Sequence, residues 1–133
     1  MDEQHWHILI VDDFADNREL YAYFLSAHGF RVTQAQDGEE GVEKAEQLVP
    51  DLIVMDLSLP GIDGWEAARR LGASETTRHI PVVILTAYDV PGTGPPGCEG
   101  FLTKPCLPDK MISKITEILE RRNLPNTNAS LPS

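Results

Sequence analysis

Two short apolar runs that each end in aspartate constrain the fold of this chain most strongly. The run at residues 8–11 leads directly into Asp12 and Asp13, and the run at residues 52–55 leads into Asp56. Continuous apolar runs of this length, rich in β-branched residues, are typical of strands buried on both faces of a parallel sheet. Open sheets of this kind bind ligands beyond the carboxyl ends of their strands, so the three aspartates are predicted to share one crevice.

The remainder of the chain alternates between extended and helical patterns. Further strands are predicted at residues 31–35, 81–86 and 101–103, and helices at residues 13–29, 37–49, 63–71 and 108–122. Strands that alternate with helices indicate a doubly wound α/β domain with right-handed crossovers. We therefore predict a flavodoxin-like, five-stranded parallel sheet in the order 2-1-3-4-5, whose crevice lies between strands 1 and 3.

Apolar spacing within each helical segment predicts the face that packs on the sheet. The predicted inward residues are Leu20, Phe24 and Ala27 with Tyr21 and His28 alongside in the first helix, Val42, Ala45 and Val49 in the second, Trp65, Ala68 and Leu71 in the third, and Met111, Ile115, Ile118 and Leu119 in the last. Asp13 or Asp16 is predicted to cap the start of the first helix, and Gly29 to end it.

Length and charge narrow the class of protein. The 133 residues are predicted to form one domain over residues 1–122, followed by a polar, disordered tail at 123–133. The formal net charge of −10 argues against direct nucleic-acid binding. No apolar run approaches the ~20 residues of a membrane span and the N-terminus lacks a basic signal region, which predicts a cytoplasmic protein without a membrane partner. Cys98 and Cys106 lack metal-ligand spacing and are predicted to be free thiols.

The predicted crevice has the components of phosphoryl transfer. Three converging carboxylates repel one another, so they should share a proton or bind a cation, and Mg²⁺ is the cation that oxygen ligands of this kind favour. Lys104 follows the fifth strand and would supply a point charge for a phosphate, while Thr86 adds a hydroxyl at the end of the fourth. A free carboxylate in such a setting can act as a nucleophile and become an aspartyl phosphate.

Beyond this chemistry, the sequence resembles the receiver domain of two-component response regulators over about residues 7–122. The motifs that carry the resemblance are Val11-Asp12-Asp13, Asp56 with Leu59-Pro60-Gly61 and Asp63-Gly64, Thr86-Ala87, and Phe101 with Lys104-Pro105. The resemblance implies that Asp56 is the phosphoacceptor and that Lys104 binds the phosphate. It also implies that Asp12, Asp13, Asp56 and the carbonyl of Ser58 bind Mg²⁺.

Further roles are implied by the same resemblance. Thr86 and Phe101 would form the switch pair, the Lys104–Pro105 bond would be cis, and Tyr88 would lie over the phosphoryl group and slow its hydrolysis. A receiver of this kind takes its phosphoryl group from a histidine kinase or a phosphotransfer protein. It signals to a downstream protein partner, which the sequence does not name, and it is a phosphoacceptor with self-catalysed transfer and autodephosphorylation rather than an enzyme.

One segment departs from the family pattern. Only 17 residues separate Thr86 from Lys104, and residues 91–97 include three prolines and three glycines. Forcing those residues into a helix interior would cost roughly 12 kcal/mol, which rivals the stability of a whole domain. The helix between strands 4 and 5 is therefore predicted to be replaced by an irregular, exposed loop over residues 89–100 that responds to phosphorylation.

Several alternatives remain open at this point. Taken singly, each acidic residue is more often a turn or cap residue than a metal ligand, and only their conjunction favours the functional interpretation. The favoured interpretation is a stand-alone receiver; the alternatives are a fragment of a longer regulator and a phosphorylation-independent pseudo-receiver scaffold. A phosphatase that uses an aspartyl phosphate would usually carry a second aspartate two positions after the nucleophile, where this chain has Ser58.

Overall fold

Five parallel strands form a single sheet that is covered by helices on both faces. The computed structural model describes residues 6–87 and 94–123. The strands are β1 His7–Val11, β2 Arg31–Ala35, β3 Leu52–Asp56, β4 Val82–Thr86 and β5 Cys98–Thr103, and the helices are α1 Ala15–Ala27, α2 Gly38–Leu48, α3 Gly64–Ala73 and α4 Pro108–Asn123. The strand order β2-β1-β3-β4-β5 confirms the predicted fold.

The strand register brings distant parts of the sequence to one edge of the sheet. Val11 pairs with Met55, so the residues that follow them, Asp12 and Asp56, lie at the same level at the ends of β1 and β3. Asp56 in turn pairs with Leu85 of β4. At the next step Thr86 pairs with Thr103 of β5, which places Lys104 just beyond the sheet.

Side chains alternate between two separate cores because successive strand residues point to opposite faces. Ile8, Ile10, Leu52, Val54, Val83 and Leu85 pack on one face with residues of α1 and α4, and Leu9, Val11, Ile53, Met55, Val82 and Ile84 pack on the other with residues of α2 and α3. Every residue of β3 and β4 is buried. The prediction of strands buried on both faces is therefore confirmed for the centre of the sheet.

The predicted inward face of α1 is wrong except at Tyr21, which is buried as predicted. Tyr21, Ala22 and Leu25 are the buried residues of the helix, whereas Leu20 is 47% and Phe24 36% exposed, and Ala27 and His28 are also exposed. The helix carries aromatic and aliphatic residues around most of its circumference, so spacing alone does not select a face. Packing against the sheet and α4 decides it, with the Tyr21 hydroxyl donating to the carbonyl of Cys106 at 3.2 Å.

The predicted start of α1 is also wrong, but its end is confirmed. The cap residue is Phe14, and neither Asp13 nor Asp16 caps the helix with its side chain. The helix ends before Gly29, which adopts a left-handed backbone with φ 95°, and the amide of Phe30 donates back to the carbonyl of Leu25. Glycine adopts that conformation without steric cost, as a helix stop requires.

In α2 and α3, side-chain caps fix the first turns. Asp37 accepts from the amide of Glu40, and Asp63 accepts from the amide of Glu66. The predicted buried residues are found at Ala45 in α2, at Ala68 and Leu71 in α3, and at Met111, Ile115, Ile118 and Leu119 in α4, with Val42 and Trp65 half-buried. Val49 is an error of prediction: α2 ends at Leu48, and Val49 lies beyond it, 42% exposed, with φ 46°.

The connection between β4 and β5 contains no helix within its described part. Residues 94–97 form a turn in which Gly94 and Gly97 have φ 72° and 99°, and residues 88–93 lie outside the described part of the chain. The loop was predicted to extend to Gly100, but β5 already begins at Cys98. A side chain on Gly94 would place a Cβ 2.7 Å from Cζ3 of Trp65, so glycine is required there.

Two further predictions concern the C-terminal tail and the absence of a membrane span. The tail predicted at 123–133 lies, from residue 124 onward, outside the described residues. Within residues 6–87 and 94–123, every helix is too short or too polar to cross a membrane.

Candidate functional site

Three carboxylates meet at the carboxyl ends of β1 and β3. Carboxylate oxygens of Asp12, Asp13 and Asp56 all lie within 4.8 Å of one another. Asp12 and Asp56 are buried, with 1% and 2% of their surface exposed, while Asp13 faces solvent. The structure therefore brings together the three aspartates that the sequence placed at the strand ends.

Local backbone turns hold the two buried aspartates. Oδ1 of Asp12 accepts from the amide of Phe14 at 3.0 Å, and Oδ1 of Asp56 accepts from the amide of Ser58 at 3.1 Å. The chain after Asp56 folds tightly over Gly64, where a Cβ would lie 2.5 Å from the Asp56 carbonyl oxygen. Only glycine permits this approach, so Gly64 fixes how the loop leaves the site. The structure places the Ser58 amide on Asp56; the role of the Ser58 carbonyl stays a prediction.

Lys104 reaches the same crevice from β5. Its Nζ lies 2.9 Å from Oδ2 of Asp56, with 27% of the lysine side chain exposed. The amide of Lys104 donates to the carbonyl of Thr86 at 2.7 Å, which holds the residue at the end of β4, and the Lys104–Pro105 peptide bond is cis as predicted. Asp56 therefore has the lysine on one carboxylate oxygen and a backbone amide on the other.

The electrostatics of Asp12 favour a bound cation. The pKa of Asp12 is raised to about 6, first by burial and also by the negative charge of Asp56, against the opposing effects of the Phe14 amide and Lys104. Oδ2 of Asp12 is buried and, among the described residues, has no hydrogen-bond partner. A buried oxygen that lacks a donor, next to two further carboxylates, fits a divalent cation that takes oxygen ligands.

The two residues of the predicted switch lie on neighbouring strands. Thr86 is buried at the end of β4 and Phe101 is half-buried in β5. The ring of Phe101 contacts Trp65 of α3 in an edge-to-face arrangement. Tyr88, which was predicted to shield the phosphoryl group, lies outside the described residues.

Arg18 also borders the site, although no sequence pattern pointed to it. Its NH1 donates to the carbonyl of Asp12 at 2.9 Å, and its Nε donates to Oε1 of Gln34 at 3.0 Å. No local pattern signals this role, because the arginine acquires it only when α1 lies against the end of β2. An arginine in the first turns of a helix otherwise indicates no more than a solvated surface.

The sequence is similar to those of known proteins. Residues 8–116 match the family described as the response regulator receiver domain. The response regulator PleD of Caulobacter vibrioides is 40% identical over 121 residues, which are 88% of this chain and 26% of that protein. The polar-differentiation response regulator DivK of Brucella ovis is 33% identical over 84% of this chain and 94% of its own length.

A solved structure extends the comparison to the fold. The receiver domain of the sensor histidine kinase PA1611 from Pseudomonas aeruginosa PAO1, described with a magnesium ion coordinated in its active site cleft, is 33% identical with a TM-score of 0.75. The alignment covers 89% of this chain and 97% of that one. The chain thus spans about a quarter of PleD, but nearly all of DivK and of the PA1611 domain. On the match over residues 8–116, together with these relatives, the chain belongs to the response regulator receiver domain family.

Proposed function

We propose that this domain accepts a phosphoryl group on Asp56 from the phosphohistidine of a histidine kinase or phosphotransfer protein. The observation that carries the proposal is the setting of Asp56, a buried carboxylate with the Lys104 ammonium at 2.9 Å and two further carboxylates within 4.8 Å. A structural aspartate would be satisfied by the lysine alone. The additional acidic pair adds repulsion that is useful only if a cation binds.

The transfer is a displacement at phosphorus. A carboxylate oxygen of Asp56 forms a bond to phosphorus while the bond from phosphorus to the donor imidazole nitrogen breaks, and the electron pair of that bond stays on the imidazole. The product is an acyl phosphate, and the freed nitrogen takes a proton from solvent. Lys104 lies where its charge can stabilise the phosphoryl oxygens, in line with catalysis by positioning and charge neutralisation.

A divalent cation, for which we propose Mg²⁺, belongs to the same site. Asp12, Asp13 and Asp56 would hold it with the carbonyl of Ser58. The assignment is supported by Oδ2 of Asp12, which has no hydrogen-bond partner among the residues that the structure describes. When bound, the ion neutralises part of the charge of the phosphoryl group and the carboxylates. The magnesium named in the PA1611 receiver domain supports the same choice of metal.

Thr86 and Phe101 are proposed to carry the change of state to the surface. Thr86 follows Leu85, which pairs with Asp56, and Phe101 pairs with Ile84 two positions before Thr86. The register therefore sets the two residues on successive strands next to the proposed phosphoacceptor. The change would be read by a protein partner. The net charge of −10 supports a protein rather than a nucleic acid as that partner.

The test is phosphorylation by acetyl phosphate, followed by intact mass spectrometry. The protein should gain the mass of one phosphoryl group with MgCl₂ present and none with EDTA. Asp56→Asn should abolish the adduct, whereas Asp109→Asn, which removes an exposed carboxylate from the first turn of α4, should retain it. A full adduct on Asp56→Asn would contradict the proposal.

A further inference from the structure

Arg18 joins three elements at the rim of the acidic crevice. It lies in α1, donates from NH1 to the carbonyl of Asp12 at the end of β1, and donates from Nε to Oε1 of Gln34 in β2. The two bonds, at 2.9 and 3.0 Å, leave from different nitrogens of one planar guanidinium. Such a fork fixes direction as well as distance, which a lysine would not do.

The carbonyl that Arg18 holds belongs to the peptide between Asp12 and Asp13. Because that peptide unit is planar, holding its oxygen also fixes the direction in which the chain enters Asp13. Within the described part of the chain, the Asp13 side chain makes no hydrogen bond or ion pair of its own, and it is exposed. The place of Asp13 in the carboxylate cluster therefore depends on the position of its backbone. Among the described residues, Arg18 is the side chain that holds this backbone, through the carbonyl of Asp12.

Gln34, whose side chain accepts from Nε of Arg18, is itself held in place by α2. The carbonyl of Gln34 accepts from Nζ of Lys44 at 2.6 Å, and Lys44 pairs with Glu40 one turn earlier in α2 at 3.0 Å. On the same strand, the carbonyl of Ala35 accepts from the amide of Asp12 at 3.1 Å. Arg18 thus ties Asp12 to a part of β2 that α2 already holds.

We infer that Arg18 is a positioning residue for the divalent cation, an inference that rests on the proposed function. Two effects of the arginine oppose each other: its positive charge disfavours a nearby cation, and its hydrogen bonds hold the peptide that aims Asp13. Groups that orient metal ligands typically change metal affinity by 10–100-fold. The charge of a half-buried guanidinium next to solvent is screened by salt. The positioning effect therefore dominates, and removing Arg18 should weaken Mg²⁺ binding. If the charge effect dominated, removing Arg18 would tighten Mg²⁺ binding.

The experiment measures Mg²⁺ affinity by isothermal titration calorimetry, without any phosphodonor. Arg18→Met should weaken binding by about tenfold. Arg31→Met is the matched control, because it removes the same charge from an exposed position at the opposite end of β2, and its affinity should equal that of the wild type. Tighter or unchanged binding by Arg18→Met would overturn the inference.

A second variant separates positioning from general damage to the fold. Gln34→Ala removes one of the two acceptors while keeping Arg18 and its charge, so it should weaken Mg²⁺ binding by less than Arg18→Met. In the Arg18→Met background the same change should add nothing, since the two residues act through one contact. Additive losses would contradict the inference, and if Arg18→Met failed to fold, an unchanged affinity in Gln34→Ala would overturn it. A wild-type protein that binds no Mg²⁺ would instead refute the metal site of the proposed function, and the inference with it.

Discussion

Trp65 meets Phe101 edge to face between α3 and β5, with ring centroids 6.1 Å apart and ring planes inclined by 63°. The indole also lies next to Gly94, where even a methyl group would clash with Cζ3. A single half-buried tryptophan therefore lies next to both the proposed switch residue and the turn that leads into β5.

Trp65 should report activation by fluorescence. The chain has two tryptophans, so Trp6→Phe leaves Trp65 as the single emitter. Beryllofluoride with MgCl₂ mimics the phosphoryl group, and a shift of Phe101 would change the surroundings of the indole. We expect a change in emission wavelength or intensity that Asp56→Asn abolishes. If intact mass shows that the protein can be phosphorylated but the spectrum does not change, Phe101 takes no part in the response.

Asp12→Asn should stabilise the metal-free protein at pH 7.5. The pKa of Asp12 is raised from 3.8 to about 6, so the charged form is unfavourable in the folded state. Asparagine removes that charge and keeps an oxygen for the Phe14 amide, so the free energy of unfolding should rise by about 3 kcal/mol. Urea denaturation in EDTA measures this difference.

The same substitution gives a pH dependence of defined sign. The pKa of Asp12 in the folded state lies above its value in the unfolded state. The free-energy cost of burying the charged carboxylate is therefore complete above about pH 6, and it disappears as Asp12 becomes protonated at lower pH. The advantage of Asp12→Asn should therefore shrink as the pH falls through 6 and vanish near pH 4. Added MgCl₂ should stabilise the wild type more than the variant. An advantage that grows in acid would contradict the assignment.

Gly64→Ala should destabilise the domain although alanine favours helices. A Cβ at this position would lie 2.5 Å from the Asp56 carbonyl oxygen and 2.8 Å from Cα of Leu57, both backbone atoms that cannot move freely. We expect a loss of about 1–3 kcal/mol, measured by thermal denaturation, and slower phosphorylation by acetyl phosphate. Gly72→Ala in the same helix is the comparison, since its Cβ would meet only the Pro96 carbonyl at 3.1 Å. Equal losses would show that helical glycine itself, and not the approach to Asp56, sets the effect.

Lys104→Met should slow phosphorylation without preventing metal binding. The change removes the charge at 2.9 Å from Oδ2 of Asp56 and leaves the three carboxylates in place. With the positive charge gone, Mg²⁺ should bind at least as tightly as in the wild type, while the rate with acetyl phosphate should fall by at least about tenfold. Calorimetry and time-resolved intact mass give the two values. A normal rate would exclude Lys104 from the transfer step.

How far the sequence predicts the structure depends on how local each signal is. Buried strands and the aspartates at their ends follow from short apolar runs, and the strand order follows from the alternation with helices. The inward face of α1 was mispredicted because Leu20 and Phe24 are as apolar as Tyr21 and Leu25. Arg18 could not be found at all, because its acceptors lie on β1 and β2, and only the packed sheet brings them within reach.

The register of the sheet has a consequence for how destabilising substitutions affect the site. Asp12, Asp56, Thr86 and Lys104 are spread over more than ninety positions of the sequence and converge only when β1, β3, β4 and β5 are all aligned. A slip of one residue in any of these strands would turn a site residue toward the opposite face of the sheet. The complete crevice exists only when all four strands are in register. Substitutions far from Asp56 that loosen the sheet should therefore reduce the number of competent molecules in a population, while each competent molecule keeps its full reactivity.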